Sequence, residues 1–324
     1  MSEIMKKQYR DIDHGTFDEE WGCHEESTEW WYATGYFTDE EGKMYSYQYA
    51  MNRVRMPGMH PTVIMLALTD FSTSKHIYFQ DKMLSDDKII ITNDKVEFAD
   101  VAKIKREDSY MSFEGNHAKF TLKLKLDFGK GAVWHCDNGV LKMGTADTKE
   151  TTTYYSYPNM PSTGILTFNE KEHKVTGKTW FDKQGGIFNV MNVKTHWEWF
   201  SLRFYDDEEM MLFTFPQNGY QDGTFIPKDS KASRLINYKI IPLSFLSVEG
   251  SKFSSSWSLS VPGLKEENYT IKPLMEGQMN QGYFEELAGI YNKEGKQVGL
   301  CFVELLPGVY TKNLNNSYLL KKID

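Results

Sequence analysis

Bulky side chains recur at a period of two along most of this chain. The stretch Glu29-Trp30-Trp31-Tyr32-Ala33-Thr34-Gly35-Tyr36-Phe37 sets the pattern. Read as a strand, it points successive residues to opposite faces. Trp30, Tyr32, Thr34 and Tyr36 lie on one face; Glu29, Trp31, Ala33, Gly35 and Phe37 lie on the other. Both faces carry large apolar groups, which predicts a packed core on one side and a cavity or second layer on the other. The segment 43–53 alternates in the same way behind the turn Asp39-Glu40-Glu41-Gly42, a hairpin signal. Residues 62–71 read as a mostly apolar strand. Further strands are predicted near 75–80, 88–92, 109–114, 117–127 and 132–142. A second set follows at 154–158, 163–168, 173–182, 196–205, 209–216, 219–226, 235–241, 269–274, 282–291 and 297–306. Helical periodicity is nearly absent. Residues 1–28 read as an irregular lead-in, and the acidic side chains of 11–29, Glu29 included, as a solvated face. The Ser-rich stretch 242–262, with Trp257 inside it, reads as a long loop. Many short strands with regular turns predict an all-β sandwich or barrel. The polar stretch 145–153 divides it into domains 1–150 and 151–324, packed together.

Composition sharpens this picture. The chain has 324 residues, enough for one large domain or two ordinary ones. Aromatics make up 15%, an excess that suits strands. The net charge of −8, without a Lys/Arg cluster, argues against a nucleic-acid partner. Cys23, Cys136 and Cys301 form no CxxC pair, which argues against a zinc ribbon or redox dithiol and fits a reducing compartment. The opening MSEIMKKQYRDIDHG has no apolar run, and no stretch of 18 apolar residues exists. The expectation is a cytoplasmic protein with no membrane span. The pattern leaves strand order open, and with it any self-associating edge.

The candidate chemistry is that of a carboxyl among aromatic rings. Trp180 and Asp182 are two residues apart and share a strand face. A carboxyl surrounded by rings loses hydration in its charged form, so its pKa rises and it can act as a general acid at neutral pH. Protonation of an alkene or enol ether needs such a donor. The resulting carbocation gains about 0.5–2 kcal/mol from each Trp or Tyr face. The equally direct structural reading of Asp182 is a carboxylate held by backbone amides at a strand end. Tyr154, Tyr155 and Tyr157 offer hydroxyls to a ligand oxygen or fill a core. The candidate catalytic set is Asp182, Trp180 and Tyr155. The candidate substrate-binding set is Glu29, Trp31, Tyr32, Tyr154, His196, Trp197, Trp199 and Glu285. The eight histidines show no HExxH or other tight metal spacing, so no metal site is expected. GxSxG, Walker and GxGxxG motifs are also missing, which argues against a serine hydrolase, an NTPase and a dinucleotide-dependent redox enzyme.

Five motifs in order resemble one known family. They are His24 with Glu29-Trp30-Trp31-Tyr32 and Thr34-Gly35; Tyr154-Tyr155-Ser156-Tyr157-Pro158 with Thr163-Gly164; Gly177-Lys178-Thr179-Trp180-Phe181-Asp182; Trp197-Glu198-Trp199-Phe200-Ser201-Leu202; and Tyr283-Phe284-Glu285 with 299–305. Across roughly residues 13–310 the chain resembles the AttH-like and carotenoid 1,2-hydratase (hydroxyneurosporene synthase) superfamily, with kievitone hydratase and lipocalin-like Diels–Alderases similar in fold. The resemblance implies two lipocalin-like antiparallel β-domains, a pocket in or between them for a hydrophobic small molecule, and no required cofactor. Two positions depart from the carotenoid hydratases: Trp180 stands where they have Tyr, and their histidine of the preceding strand falls near Thr153. A smaller terpenoid, polyene or phenolic substrate is therefore as well supported as a carotenoid. The function expected is a cofactor-independent lyase or isomerase that hydrates, dehydrates or cyclises an unsaturated apolar molecule. The alternatives are a pericyclase that works by preorganising its substrate, or a non-catalytic binder.

Overall fold

The computed structural model describes residues 3–9, 13–229, 231–264 and 266–310. Eleven longer strands build the first sheet: β1 (Thr28–Asp39), β2 (Met44–Arg53), β3 (Thr62–Asp70), β4 (Lys75–Met83), β5 (Ile89–Ile91), β6 (Lys95–Phe98), β7 (Ala102–Arg106), β8 (Tyr110–His117), β9 (Phe120–Asp127), β10 (Thr151–Phe168) and β11 (Lys171–Ile187). Their spatial order is β5-β6-β7-β8-β9-β10-β11-β1-β2-β3-β4, and these neighbours all run antiparallel. Eight longer strands and the two-residue Ser233–Arg234 at its edge build the second: β12 (Glu198–Phe204), β13 (Glu209–Phe215), β14 (Tyr220–Ile226), β15 (Lys239–Val248), β16 (Ser251–Ser260), β17 (Asn268–Pro273), β18 (Phe284–Tyr291) and β19 (Gln297–Leu305). Their order is β14-β13-β12-β19-β18-β17-β16-β15, again antiparallel. The protein is thus nearly all-β, with two curled antiparallel half-barrel sheets of lipocalin-like form. Among the described residues no helix is long and apolar enough to cross a membrane.

Each sheet folds around its own core. The first unit comprises 1–134 and 151–188, and the second comprises 135–150 and 189 onward. A cut at residue 150 would remove β10 and β11 from the middle of the first sheet, where they join β9 to β1. In the first unit Trp31, Ala33, Phe37, Tyr49, Met51, Phe113, Tyr155 and Phe181 pack together. In the second, Phe200, Leu212, Trp257, Phe284, Ile290 and Val303 do so. Fully burying a side chain of this size contributes about 1.5–3 kcal/mol.

Three local expectations need correction. The Ser-rich stretch is not a loop: it forms most of β15 and all of β16, because Phe253, Trp257 and Leu259 bury themselves and serines occupy much of the rest of β16. The strands expected at 154–158 and 163–168 are one strand, β10, with a bulge between Tyr157 and Met160. The acidic lead-in is only partly a solvated face. It contains a short helix, Phe17–Trp21, whose cap Thr16 and third residue Glu19 exchange hydrogen bonds. Glu20 and Glu29 are buried, while Asp18 and Glu19 are not.

Candidate functional site

β10, β11 and β1 lie side by side, so their cross-strand partners share a face. Ser156 pairs with Asp182, and Asp182 with Tyr32. Tyr154 pairs with Gln184, and Trp180 with Thr34. These residues form one polar and aromatic face, all of it buried. Asp182 is its centre. The Trp180 indole N–H donates to Oδ1 at 2.6 Å, and the Ser156 hydroxyl donates to the same oxygen. The Tyr154 hydroxyl donates to Oδ2 at 3.2 Å. Gln184 donates to Thr152 Oγ1 at 2.8 Å. The Thr34 hydroxyl, beside Trp180, is buried with no hydrogen-bond partner among the described residues. Asp182 therefore does not sit among bare rings, as the sequence suggested. Donors from three side chains surround it.

Tyr155 belongs to the opposite face, because a strand alternates. Its hydroxyl donates to the Phe17 carbonyl at 3.4 Å, and its ring meets Phe17 and Trp134. Burial pushes its hydroxyl well above the ordinary tyrosine value. Tyr154, not Tyr155, reaches Asp182.

That opposite face holds a buried chain of charges. Lys183 Nζ lies 2.6 Å from Glu29 Oε2 and 4.3 Å from the centroid of the Trp31 ring. His24 Nδ1 lies 3.2 Å from the same Glu29 oxygen, and His24 Nε2 lies 3.1 Å from Glu20 Oε2. The backbone N–H of His24 donates to Glu29 Oε1 at 2.9 Å, and that of Gly15 to Glu20 Oε1 at 2.7 Å. Burial opposes the charge on Glu29, but Lys183 and His24 outweigh it and hold the carboxyl down to about 2. Burial likewise opposes a charged His24, yet its bonds to Glu20 and Glu29 raise its pKa. Trp31 donates its own N–H to the Trp21 carbonyl at 2.9 Å. Glu29 and Trp31 thus build the interior of this unit, on the side away from Asp182.

The remaining predicted residues lie in the second unit. Trp197 donates to Glu304 Oε2 at 2.7 Å. Trp199 pairs with Glu304 across the sheet, and Glu304 pairs with Glu285, so Trp199, Glu304 and Glu285 share one face. Burial raises the Glu304 carboxyl to about 7, although Trp197 works against it. His196 contacts the Pro307 carbonyl at 2.9 Å and the Val190 carbonyl at 3.2 Å, and burial lowers its pKa. Both ring nitrogens are thus placed on backbone, as in a local brace.

Sequence reasoning missed Ser156, Thr34, Lys183 and Glu20. Ser156 and Lys183 were within reach of it. Ser156 has the parity of Tyr154, and Lys183 has the parity opposite to Asp182. Thr34 and Glu20 needed the strand pairing and the helix position. Among the described residues no group of three or more His, Cys, Asp or Glu is placed to hold a metal. A cavity of about 500 Å³ opens in the first unit beside Lys7, Asn93, Arg106, Phe128 and Tyr157, and none of the predicted site residues lines it.

The comparisons agree with this architecture. The family described as AttH-like matches residues 11–308. A crystal structure of a protein assigned as an AttH from Nitrosomonas europaea superposes with a TM-score of 0.81 at 19% identity, covering 93% of this chain and 99% of that one. Kievitone hydratase from Nectria haematococca superposes with a TM-score of 0.72 at 16% identity, covering 94% of this chain and 97% of that one. No curated protein matches the sequence. At these identities the structural likeness establishes the fold.

Proposed function

We propose that this chain, which belongs to the AttH-like family, is a cofactor-independent hydro-lyase or isomerase acting on an unsaturated, largely apolar small molecule, with Asp182 as its acid. The observation that carries the reading is the convergence of the Trp180 N–H and the Ser156 and Tyr154 hydroxyls on one buried carboxyl. Oδ1 holds two of these donors. The transferable proton therefore belongs on Oδ2, where the Tyr154 hydroxyl can rotate to accept it. Delivered to an alkene carbon, that proton leaves a carboxylate behind. Trp180 and Ser156 then stabilise the new negative charge without rearrangement, as preorganised donors do, and the Tyr154 hydroxyl turns back to donate to Oδ2. The cation on the adjacent carbon faces Tyr32 and Trp180. Water adds to it and returns a proton to Asp182, so the acid is regenerated; the reverse sequence dehydrates. The shared fold with a kievitone hydratase supports hydration as the primary reading.

A panel of terpenoids, polyenes and phenolics incubated in ¹⁸O-labelled water tests this by mass spectrometry. The expected result is a product heavier by one labelled water, or lighter by one water. Asp182→Asn should lower its rate at least about 100-fold while ligand retention persists. Undiminished turnover in Asp182→Asn would remove Asp182 as the acid. The full hydrogen bonding of Asp182 also favours a second reading, a non-catalytic binder in which this carboxylate is structural. Retention of panel compounds without any conversion supports that reading.

A further inference from the structure

Tyr155 and Tyr157 lie two residues apart on β10 and share the interior face of the first unit. Only one of the two hydroxyls is satisfied by the chain. The Tyr155 hydroxyl donates to the Phe17 carbonyl at the start of the short helix. Tyr157 is 7% exposed, yet no described residue hydrogen-bonds its hydroxyl, and it lines the cavity of about 500 Å³. Local sequence shapes the wall around it. The β10 bulge falls directly after Tyr157. Gly129, at φ +58°, packs against that bulge, and a Cβ there would lie 2.0 Å from the Asn159 carbonyl oxygen. Only glycine lets the turn after β9 come so close. The approach stacks Phe128 on Tyr157, with ring centroids 5.0 Å apart and 28° between the planes.

The rim of the cavity carries an excess of negative charge. Five carboxylates and two cations line it, and both cations are already engaged. Arg106 pairs with Asp18 and lies over the Trp21 ring, while Lys7 Nζ donates to the Glu19 carbonyl at 2.8 Å. The Arg106 backbone N–H donates to the Asp94 carbonyl at 2.6 Å, which ties Asp94 to the rim. Glu107 keeps a pair with Lys105 at 2.9 Å. Asp108, in the turn between β7 and β8, has neither an ion pair nor a hydrogen bond among the described residues. No three of these acids are grouped to hold a metal ion. Spread negative charge, an aromatic face and a neutral hydroxyl free to accept a hydrogen bond are the complement of an organic cation. An anion would be repelled by the same rim.

We propose that this cavity binds a small organic cation, a primary ammonium on an aromatic or short alkyl body, with the ammonium between the Tyr157 hydroxyl and the Asp108 and Asp94 carboxylates and the body against Phe128. This inference does not depend on Asp182. The test is calorimetric titration of the full chain with 2-phenylethylamine at neutral pH and low salt, for wild type, Tyr157→Phe and Asp108→Asn. Saturable binding is expected in the wild type and about tenfold weaker binding in Tyr157→Phe. Asp108→Asn should weaken it about threefold, as loss of an exposed charge does. 2-Phenylethanol, with the same body and no charge, should bind at least about tenfold more weakly than the amine. Tyr157→Phe keeps the ring and removes a hydroxyl that the chain leaves unpaired, so it should melt no lower than the wild type; Asp108→Asn changes an exposed turn and reads the charge independently. Asp182→Asn should bind the amine as the wild type does. Four results overturn the proposal: no saturable binding of the amine, equal affinity for 2-phenylethanol, unchanged affinity in both Tyr157→Phe and Asp108→Asn, or amine binding lost in Asp182→Asn.

Discussion

Lys183 Nζ and Glu29 Oε2 meet at 2.6 Å in the interior of the first unit, one residue along β11 from Asp182, whose carboxyl points out through the other face of the sheet. One strand thus carries the ion pair inward and the candidate acid outward. Removing one partner of a buried pair strands the other charge, which costs about 3–5 kcal/mol. Lys183→Met should therefore lower stability by about that much in denaturant unfolding. The double variant Lys183→Met/Glu29→Gln should recover most of the loss. If the double variant is as unstable as the single, the pair does not carry the effect.

The same network sets a pH window. Glu29 is held down to about 2, below its ordinary value of about 4.3, so its contribution is complete above that ordinary value and is lost as pH falls toward 2. His24 is raised above its ordinary value of about 6.5. Its contribution is complete below that value and is lost as pH rises through the raised one. The contribution of this network should therefore be greatest between about pH 4.3 and 6.5. His24→Gln should remove the network's share of the alkaline decline, leaving the share of the buried carboxyls of Glu304, raised to about 7, and Glu286, raised to about 8. Melting curves from acid to mildly alkaline pH check this, and an alkaline decline unchanged in His24→Gln would contradict it.

Tyr154 and Tyr155 should behave differently although they are neighbours. Tyr154→Phe removes the donor to Asp182 Oδ2 and should lower turnover about tenfold with little change in KM. Tyr155→Phe removes a hydroxyl that donates to the Phe17 carbonyl in the interior, away from Asp182. It should leave turnover nearly unchanged and reduce stability by no more than about 1 kcal/mol. Equal kinetic effects of the two substitutions would argue against the assignment of faces.

Gly185 faces Glu29 across β11 and β1, and a Cβ there would lie 2.3 Å from the Glu29 Cβ. Gly185→Ala should push Glu29 off Lys183 and destabilise the chain by about 1–3 kcal/mol, as overpacking does. Denaturant unfolding measures it. Gly42→Ala, at a turn with nothing within 4 Å of the added atom, is the control for its own backbone penalty at φ +78°.

Period-two alternation declares a strand from local sequence alone, because a strand has only two faces. That is why the all-β class, most of the longer strands and the common face of Trp180 and Asp182 were legible, while the strands at Lys95–Phe98 and Ala102–Arg106 were not. Alternation does not say which neighbour lies beside a strand. The partnership of Asp182 with Ser156 and Tyr154 depends on β10 pairing with β11 in one register, and a shift by one residue would have brought Tyr155 to it instead. The Ser-rich stretch misled for a related reason: β16 is held by Phe253, Trp257 and Leu259, whose burial outweighs the weak strand preference of the serines around them.

Charge was the least legible property. Glu20, His24, Glu29 and Lys183 come from a helix, a short strand and two long ones, up to 163 positions apart by number, and a sequence does not display which charges end up within hydrogen-bond reach. Glu286 reads from sequence as one more carboxylate near a strand start. Only the tertiary structure turns it inward, where burial pushes its carboxyl up to about 8. The sequence by itself determined most of the strands and which residues share a face within them; strand pairing, through register and burial, decided which side chains meet and which carboxyls are charged.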